Sequence, residues 1–199
     1  MRTRLILIRH GQTDSNLKRR YSGFMDVDIN ATGKKQARRL AGRFKDEAIH
    51  RVYVSDRKRA ISTARIAFKG FKIETVPDLR EMHFGIFEGL TFSQIMRRYP
   101  RIYKQWLHDP FRVIIPEGES LREAKARVAK AIKKIILDNP HKTIAVVSHG
   151  GAISLFLMSI FKSRNFWRQI PGSASITEVE YESGKPKIRL VNDTSHLDE

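Results

Sequence analysis

The sequence predicts an α/β fold: one domain over residues 1–199, built as a three-layer α/β/α sandwich around a mostly parallel sheet. Two observations carry this. Short runs of Leu, Ile and Val alternate with segments whose apolar residues recur at helical spacing, the order that lays helices over a parallel sheet. The runs are apolar at successive positions, as strands are when both faces are covered. With 199 residues and 41% hydrophobic content, the chain is long enough to bury a full core as one unit.

The first strand is read at residues 4–9, "RLILIR". From Gly33 to Lys45, apolar Ala37, Leu40, Ala41 and Phe44 fall on one helical face. "RVYVS" (51–55) is a second buried strand, and residues 57–68 form a helix with Ala60, Ile61, Ala64 and Phe68 inward. "KIETV" (72–76) is a third strand. Residues 91–99 and 101–107 read as two short helices split by Pro100. Their Phe92, Ile95, Met96 and Tyr99, with Tyr103, Trp106 and Phe111, predict a small helical lid inserted at about residues 88–115. "SLRE" (120–123) is a capping box that opens a long helix to about Leu137. "TIAVVS" (143–148) is another buried strand, followed by a helix from about Gly151 to Phe161. Strands near 175–181 and 187–191 flank "SGK", a hairpin turn.

Composition narrows the function. Cysteine is absent, which excludes a disulfide scaffold, a thiolate metal site and a cysteine nucleophile. No apolar run approaches the roughly 18 residues of a membrane span. The opening "MRTRLILIRHG" holds too short an apolar run for a signal peptide, so a cytoplasmic location is expected. The net charge of +17 implies anionic partners, or else only a solvated basic surface. The basic residues are scattered. No nucleic-acid motif or aromatic-interleaved basic stripe accompanies them, so the expected partner is a small phosphorylated molecule rather than nucleic acid or membrane. A homodimer is left open.

In open α/β sheets the binding crevice lies outside the carboxyl ends of the strands. Arg9-His10-Gly11, Ser55-Asp56-Arg57 and Ser148-His149-Gly150-Gly151 occupy three such ends. A neutral imidazole is a good nucleophile when one nitrogen is fixed by an acceptor and the other is free. Phosphoryl transfer needs mainly positioning and charge neutralisation, and arginine's planar fork matches phosphoryl oxygens. A glycine after each histidine admits backbone N–H groups to an anion, and a following helix adds its dipole. No acidic ligand cluster accompanies these histidines, so they are read as chemistry, with neither metal nor cofactor expected.

Six stretches, "LIRHGQTDSN", "YSGFMDVDINATGKKQA", "VSDRKRAISTA", "LREMHFGIFEGLT", "PEGES" and "VVSHGG", follow one another from residue 5 to about 151. In that order they resemble the histidine phosphatase superfamily, also called phosphoglycerate mutase-like, and its small phosphatase branch in particular. The resemblance implies that His10 is the nucleophile that becomes phosphorylated. It implies that Arg9, Arg59 and His149 hold the transferring phosphoryl oxygens, with Asn16 and the backbone at Gly23 and Gly150 as further phosphate contacts. Glu81 is implied as the proton donor to the leaving oxygen and then the base that activates water. Glu88, in "FEG", competes for that part, although a structural hydrogen-bonding role suits it as well. Ser22 and His83 are candidates for the substrate pocket. His50, His108 and His141 read as surface residues, and His196 is given no role.

The function implied is a metal-independent phosphomonoesterase for a small phosphorylated metabolite: α-ribazole 5'-phosphate, phosphoserine, or a broad range. A phosphoglycerate mutase is the alternative. The short interval from Gly89 to Gly118 argues against it, because the family's glycolytic mutases carry a larger basic insert there. A non-catalytic anion or nucleic-acid binder is a third reading. Substrate identity is expected to be written in residues 83–115.

Overall fold

In the computed structural model, which describes residues 2–161, 166–167 and 170–198, the apolar runs assemble into a six-stranded sheet. Its strands are β1 (Arg2–Arg9), β2 (Arg51–Val54), β3 (Ile73–Thr75), β4 (Thr143–Ser148), β5 (Ile176–Glu182) and β6 (Lys185–Asp193). The spatial order is β3-β2-β4-β1-β5-β6. The first four are mutually parallel, and the β5–β6 hairpin adds antiparallel to β1.

The alternation of side chains along β1 builds two cores at once. Leu5 and Leu7 pack with Ile144 and Val146 of β4 under α6 (Leu121–Leu137) and α7 (Gly150–Phe161). Ile6 and Ile8 face the other way, with Val52, Val54 and Val147, under α2 (Ala31–Arg43) and α3 (Lys58–Ala67). These two helical layers and the sheet make the expected sandwich. Both faces being covered is the reason the strands read apolar throughout.

A third core carries the lid. Helices α4 (Phe92–Arg98) and α5 (Pro100–His108) bury Ile95, Tyr103 and Trp106 against Phe84, Phe87, Leu121, Leu155 and Met158. Pro100 opens α5 at its first position, where its missing N–H costs nothing. Helix α7 lies between sheet and lid, supplying Ile153, Phe156 and Leu157 to one and Leu155 and Met158 to the other. Being covered on opposite sides, it has no polar face, which its sequence "AISLFLM" reflects. No helix among the described residues is long and apolar enough to cross a membrane.

Most boundaries fall within two residues of those expected. The capping box at the start of α6 is present, with Ser120 Oγ accepting from the Glu123 N–H. A one-turn helix, α1 (Asp14–Leu17), was not expected; Thr13 caps it through a reciprocal bond with Asn16.

Phe87 is fully buried in the lid core. Phe87→Ala is expected to cost about 3–5 kcal/mol of stability, read from the urea midpoint at unchanged slope. A loss under about 1 kcal/mol would mean the lid does not share the main folding unit.

Candidate active site

The sheet register brings the polar clusters together. Arg9, the last residue of β1, lies beside Ser148, the last of β4, and Val54 of β2 lies beside Val147. The His10 N–H extends the ladder by donating to the Ser148 carbonyl at 2.9 Å. Over these strand ends lies a cleft of about 150 Å³. Arg9, His10, Asn16, Ser22, Gly23, Arg59, Glu81 and Gly150 all line it. His149 and His83 do not.

His10 is 3% exposed, and its Nδ1 lies 2.7 Å from the Gly11 carbonyl oxygen. A carbonyl only accepts, so Nδ1 carries the proton and Nε2 keeps its lone pair. Burial, and then the positive charges of Arg59 and Arg9, hold the imidazole well below its ordinary pKa. The ring is therefore neutral at pH 7.

Arg59 is 1% exposed. Its Nη1 and Nη2 donate to the carbonyls of Met25 and Gly23, each at 2.7 Å, and its Nε donates to His149 Nδ1 at 3.1 Å. Burial lowers its pKa to about 10, which leaves it charged. Because a guanidinium only donates, His149 Nδ1 is an acceptor here, and its Nε2–H donates to Ser55 Oγ at 2.8 Å. A phosphoryl contact was expected of His149, and the structure shows which protein groups its ring meets. Both ring nitrogens are engaged by protein, and the ring packs edge-on behind His10 with centroids 5.2 Å apart. Ser55, which sets this tautomer, had been placed only at a strand end. Thr63, one turn after Arg59, accepts from the Gly11 N–H at 2.9 Å and so ties α3 to the loop that follows His10.

Arg9 donates through Nη1 to the Pro171 carbonyl at 2.6 Å. Its Nε is buried without a partner among the described residues. Burial lowers its pKa, and Glu81 opposes that shift. Gly150 lies against this guanidinium; a Cβ there would stand 3.3 Å from Arg9 Cζ.

Glu81 occupies the N-terminus of α7. Its Oε2 accepts from the Gly151 N–H, and its Oε1 from those of Ala152 and Met82, at 2.9 to 3.0 Å. The helix end expected to face phosphate therefore presents two of its N–H groups to the carboxylate instead. Close approach requires glycine: a Cβ on Gly151 would lie 2.5 Å from Glu81 Oε1.

Glu88 is occupied elsewhere. It accepts from the backbone N–H groups of Phe24, Met25 and Phe84. It thereby shapes the loop whose carbonyls meet Arg59. Gly23 in that loop has φ of +42°, and a Cβ there would overlap Glu88. His83 stacks on Phe24 with centroids 4.6 Å apart and faces Glu88, away from the cleft lining. Asn16 Oδ1 is taken by the N–H and hydroxyl of Thr13, and no described residue engages its amide nitrogen. Arg20, Tyr21, Phe84, Trp106, Phe166 and Trp167 also line the cleft and had not been assigned to it. Among the described residues, no group of three or more His, Asp or Glu is placed to hold a metal ion.

Known proteins resemble this chain over nearly its whole length. "Phosphoglycerate mutase-like protein 4" of Arabidopsis thaliana is 35% identical over 98% of this chain and 87% of its own length. "Phosphoserine phosphatase 1" of Hydrogenobacter thermophilus is 30% identical over 98% of this chain and 95% of its own. The chain spans 55% of a bifunctional protein of Mycobacterium tuberculosis, at 35% identity. A mutant phosphoserine phosphatase from Entamoeba histolytica, solved in complex with phosphoserine, superposes with a TM-score of 0.90 at 27% identity, covering 98% of this chain and 99% of that one. A family model described as the histidine phosphatase superfamily (branch 1) matches residues 5–194, and the chain belongs to that superfamily.

Proposed function

We propose that the protein hydrolyses small phosphate monoesters through a phosphohistidine formed at His10. The observation that carries this is the state of that ring: neutral, with Nδ1–H on the Gly11 carbonyl and Nε2 free at the cleft. In the first step Nε2 attacks phosphorus, the P–O ester bond breaks, and Glu81 delivers a proton to the departing oxygen. Arg9 and Arg59 neutralise the phosphoryl oxygens, with the amide nitrogen of Asn16 as a further donor. In the second step water gives its proton to Glu81 as its oxygen attacks phosphorus. The N–P bond breaks, phosphate leaves, and His10 is neutral again. The role of His149 in this reading is to orient Arg59.

Hydrolysis rather than a mutase reaction is supported by the small lid, which has only α4 and α5 as regular helices between Gly89 and Gly118.

Turnover of p-nitrophenyl phosphate in EDTA, with acid-labile phosphate trapped on the wild-type protein, is the expected result. His10→Ala abolishes both, and full turnover by that variant would overturn the assignment. Imidazole nitrogen NMR at pH 6.5 should report neutral rings, His10 as the Nδ1–H tautomer and His149 as Nε2–H. The sign follows from the lowered pKa values: both rings stay neutral below the usual histidine midpoint, so a ring half-protonated at pH 6.5 would contradict the geometry. Gly151→Ala displaces Glu81 and should lower kcat by about 10², most on esters with poor leaving groups.

A further inference from the structure

Glu81 sits on backbone with no ladder of its own. It follows a single 3-10 turn, Pro77–Leu79, and belongs to no helix or strand. Its neighbours Leu79 and Met82 are fully buried, so the carbonyls along this segment need donors from elsewhere. Side chains supply them at four successive residues. Arg127, on α6, donates through Nη1 to the carbonyls of Asp78 and Arg80 at 2.8 and 3.1 Å, and through Nη2 to that of Glu81 itself at 3.2 Å. Ser148, at the end of β4, donates to the carbonyl of Leu79 at 2.8 Å.

The guanidinium is itself fixed. Its Nε and Nη2 donate to the two carboxylate oxygens of Glu119 at 2.8 and 2.7 Å, a bidentate and mostly buried pair. Glu119 also grips the segment beyond Glu81. Its N–H donates to the His83 carbonyl at 2.9 Å, and its Oε2 accepts from the His83 N–H at 3.4 Å. One ion pair thus holds residues 78–83 at both ends, with Glu81 between. Neither member lines the cleft. Among the described residues, neither hydrogen-bonds Arg9, His10, Asn16 or Arg59.

The Glu81 carboxylate is therefore anchored to α7 and its backbone to α6. A reacting group misplaced by about 1 Å loses about 10² in rate. A planar fork meeting several carbonyls fixes direction as well as distance, which a lysine ammonium does not. We propose that Arg127, locked by Glu119, is a positioning residue for proton transfer: it sets where the Glu81 carboxyl group stands against the departing oxygen. It has no part in holding the phosphoryl group. Satisfying buried carbonyls alone would give Arg127 a part in folding and no preference among esters. Placing Glu81 gives it a signature in the leaving group. This inference rests on the phosphatase reading above.

The test uses 2,4-dinitrophenyl, p-nitrophenyl and phenyl phosphate, which share a ring and differ in how readily the oxygen departs without a proton. The quantity read is kcat/KM, which covers the steps up to cleavage of the ester P–O bond. Arg127→Gln should lower it on phenyl phosphate about tenfold to a hundredfold more than on 2,4-dinitrophenyl phosphate. Arg127→Lys should show a smaller split, and Glu119→Gln a split in the same direction. Inorganic phosphate should inhibit wild type and variants alike. An equal loss on all three esters, or no loss on any, would overturn the inference and leave the phosphatase reading standing. Weakened phosphate inhibition without a leaving-group split would also overturn it. Should Arg127→Gln fail to fold, Arg127→Lys and Glu119→Gln carry the same comparison with the same outcomes. A wild type that turns over none of the esters would overturn both readings.

Discussion

A guanidinium withdrawn from water must be met by acceptors, and the site is arranged around that requirement at Arg59. Three of its nitrogens each donate to a fixed partner: two loop carbonyls and one imidazole nitrogen. Each partner needs support of its own. The carbonyls of Gly23 and Met25 are aimed by a loop that Glu88 holds through backbone N–H groups. The imidazole of His149 accepts at Nδ1 because its single N–H, on Nε2, is donated to Ser55. Thr63, on the same helix as Arg59, secures Gly11. Gly11 in turn fixes the tautomer of His10. One buried charge is thereby linked to a loop, to the tautomer of His149 and to the setting of His10, and the cost of burying it is offset across several elements.

The two acidic residues of the "LREMHFGIFEG" stretch are separated in function by where backbone N–H groups point. Glu88 receives them from a loop and becomes part of the scaffold. Glu81 receives them from the first turn of α7, at the edge of the cleft. A helix terminus favours a negative charge within about one turn. Here that property holds the Glu81 carboxylate at the cleft beside Arg9 and Arg59.

Much of this was legible in the sequence, and the rest was hidden for physical reasons. Leu5 to Ile8 announce a strand covered on both faces, and β1 places alternate residues in two different cores. The strand ends, and therefore Arg9 and His10, follow from the rule about carboxyl edges, whereas Arg59, inside α3, was implied only by the family resemblance. Helix α1 was missed because one turn gives no periodicity. Arg20 follows Lys18 and Arg19 in sequence and reads as another surface charge; only packing brings it to the cleft. Trp106 reads as a lid core residue, which it is, and nothing in its spacing signals that it also lines the cleft. The state of His149 depends on Ser55, 94 residues away, a pairing that sequence spacing does not encode.

The position of α7 between sheet and lid couples the two mechanically. Its tip holds Glu81, while its flank carries Leu155 and Met158 in the lid core. Catalytic precision and lid attachment therefore reside on one rigid rod but at different places along it. Glu81 is nevertheless tied to the lid as well, because Met82, whose N–H it accepts, lies in the same core as Leu155 and Met158. A change in lid packing therefore reaches the Glu81 carboxylate by two routes, the helix and the adjoining Met82.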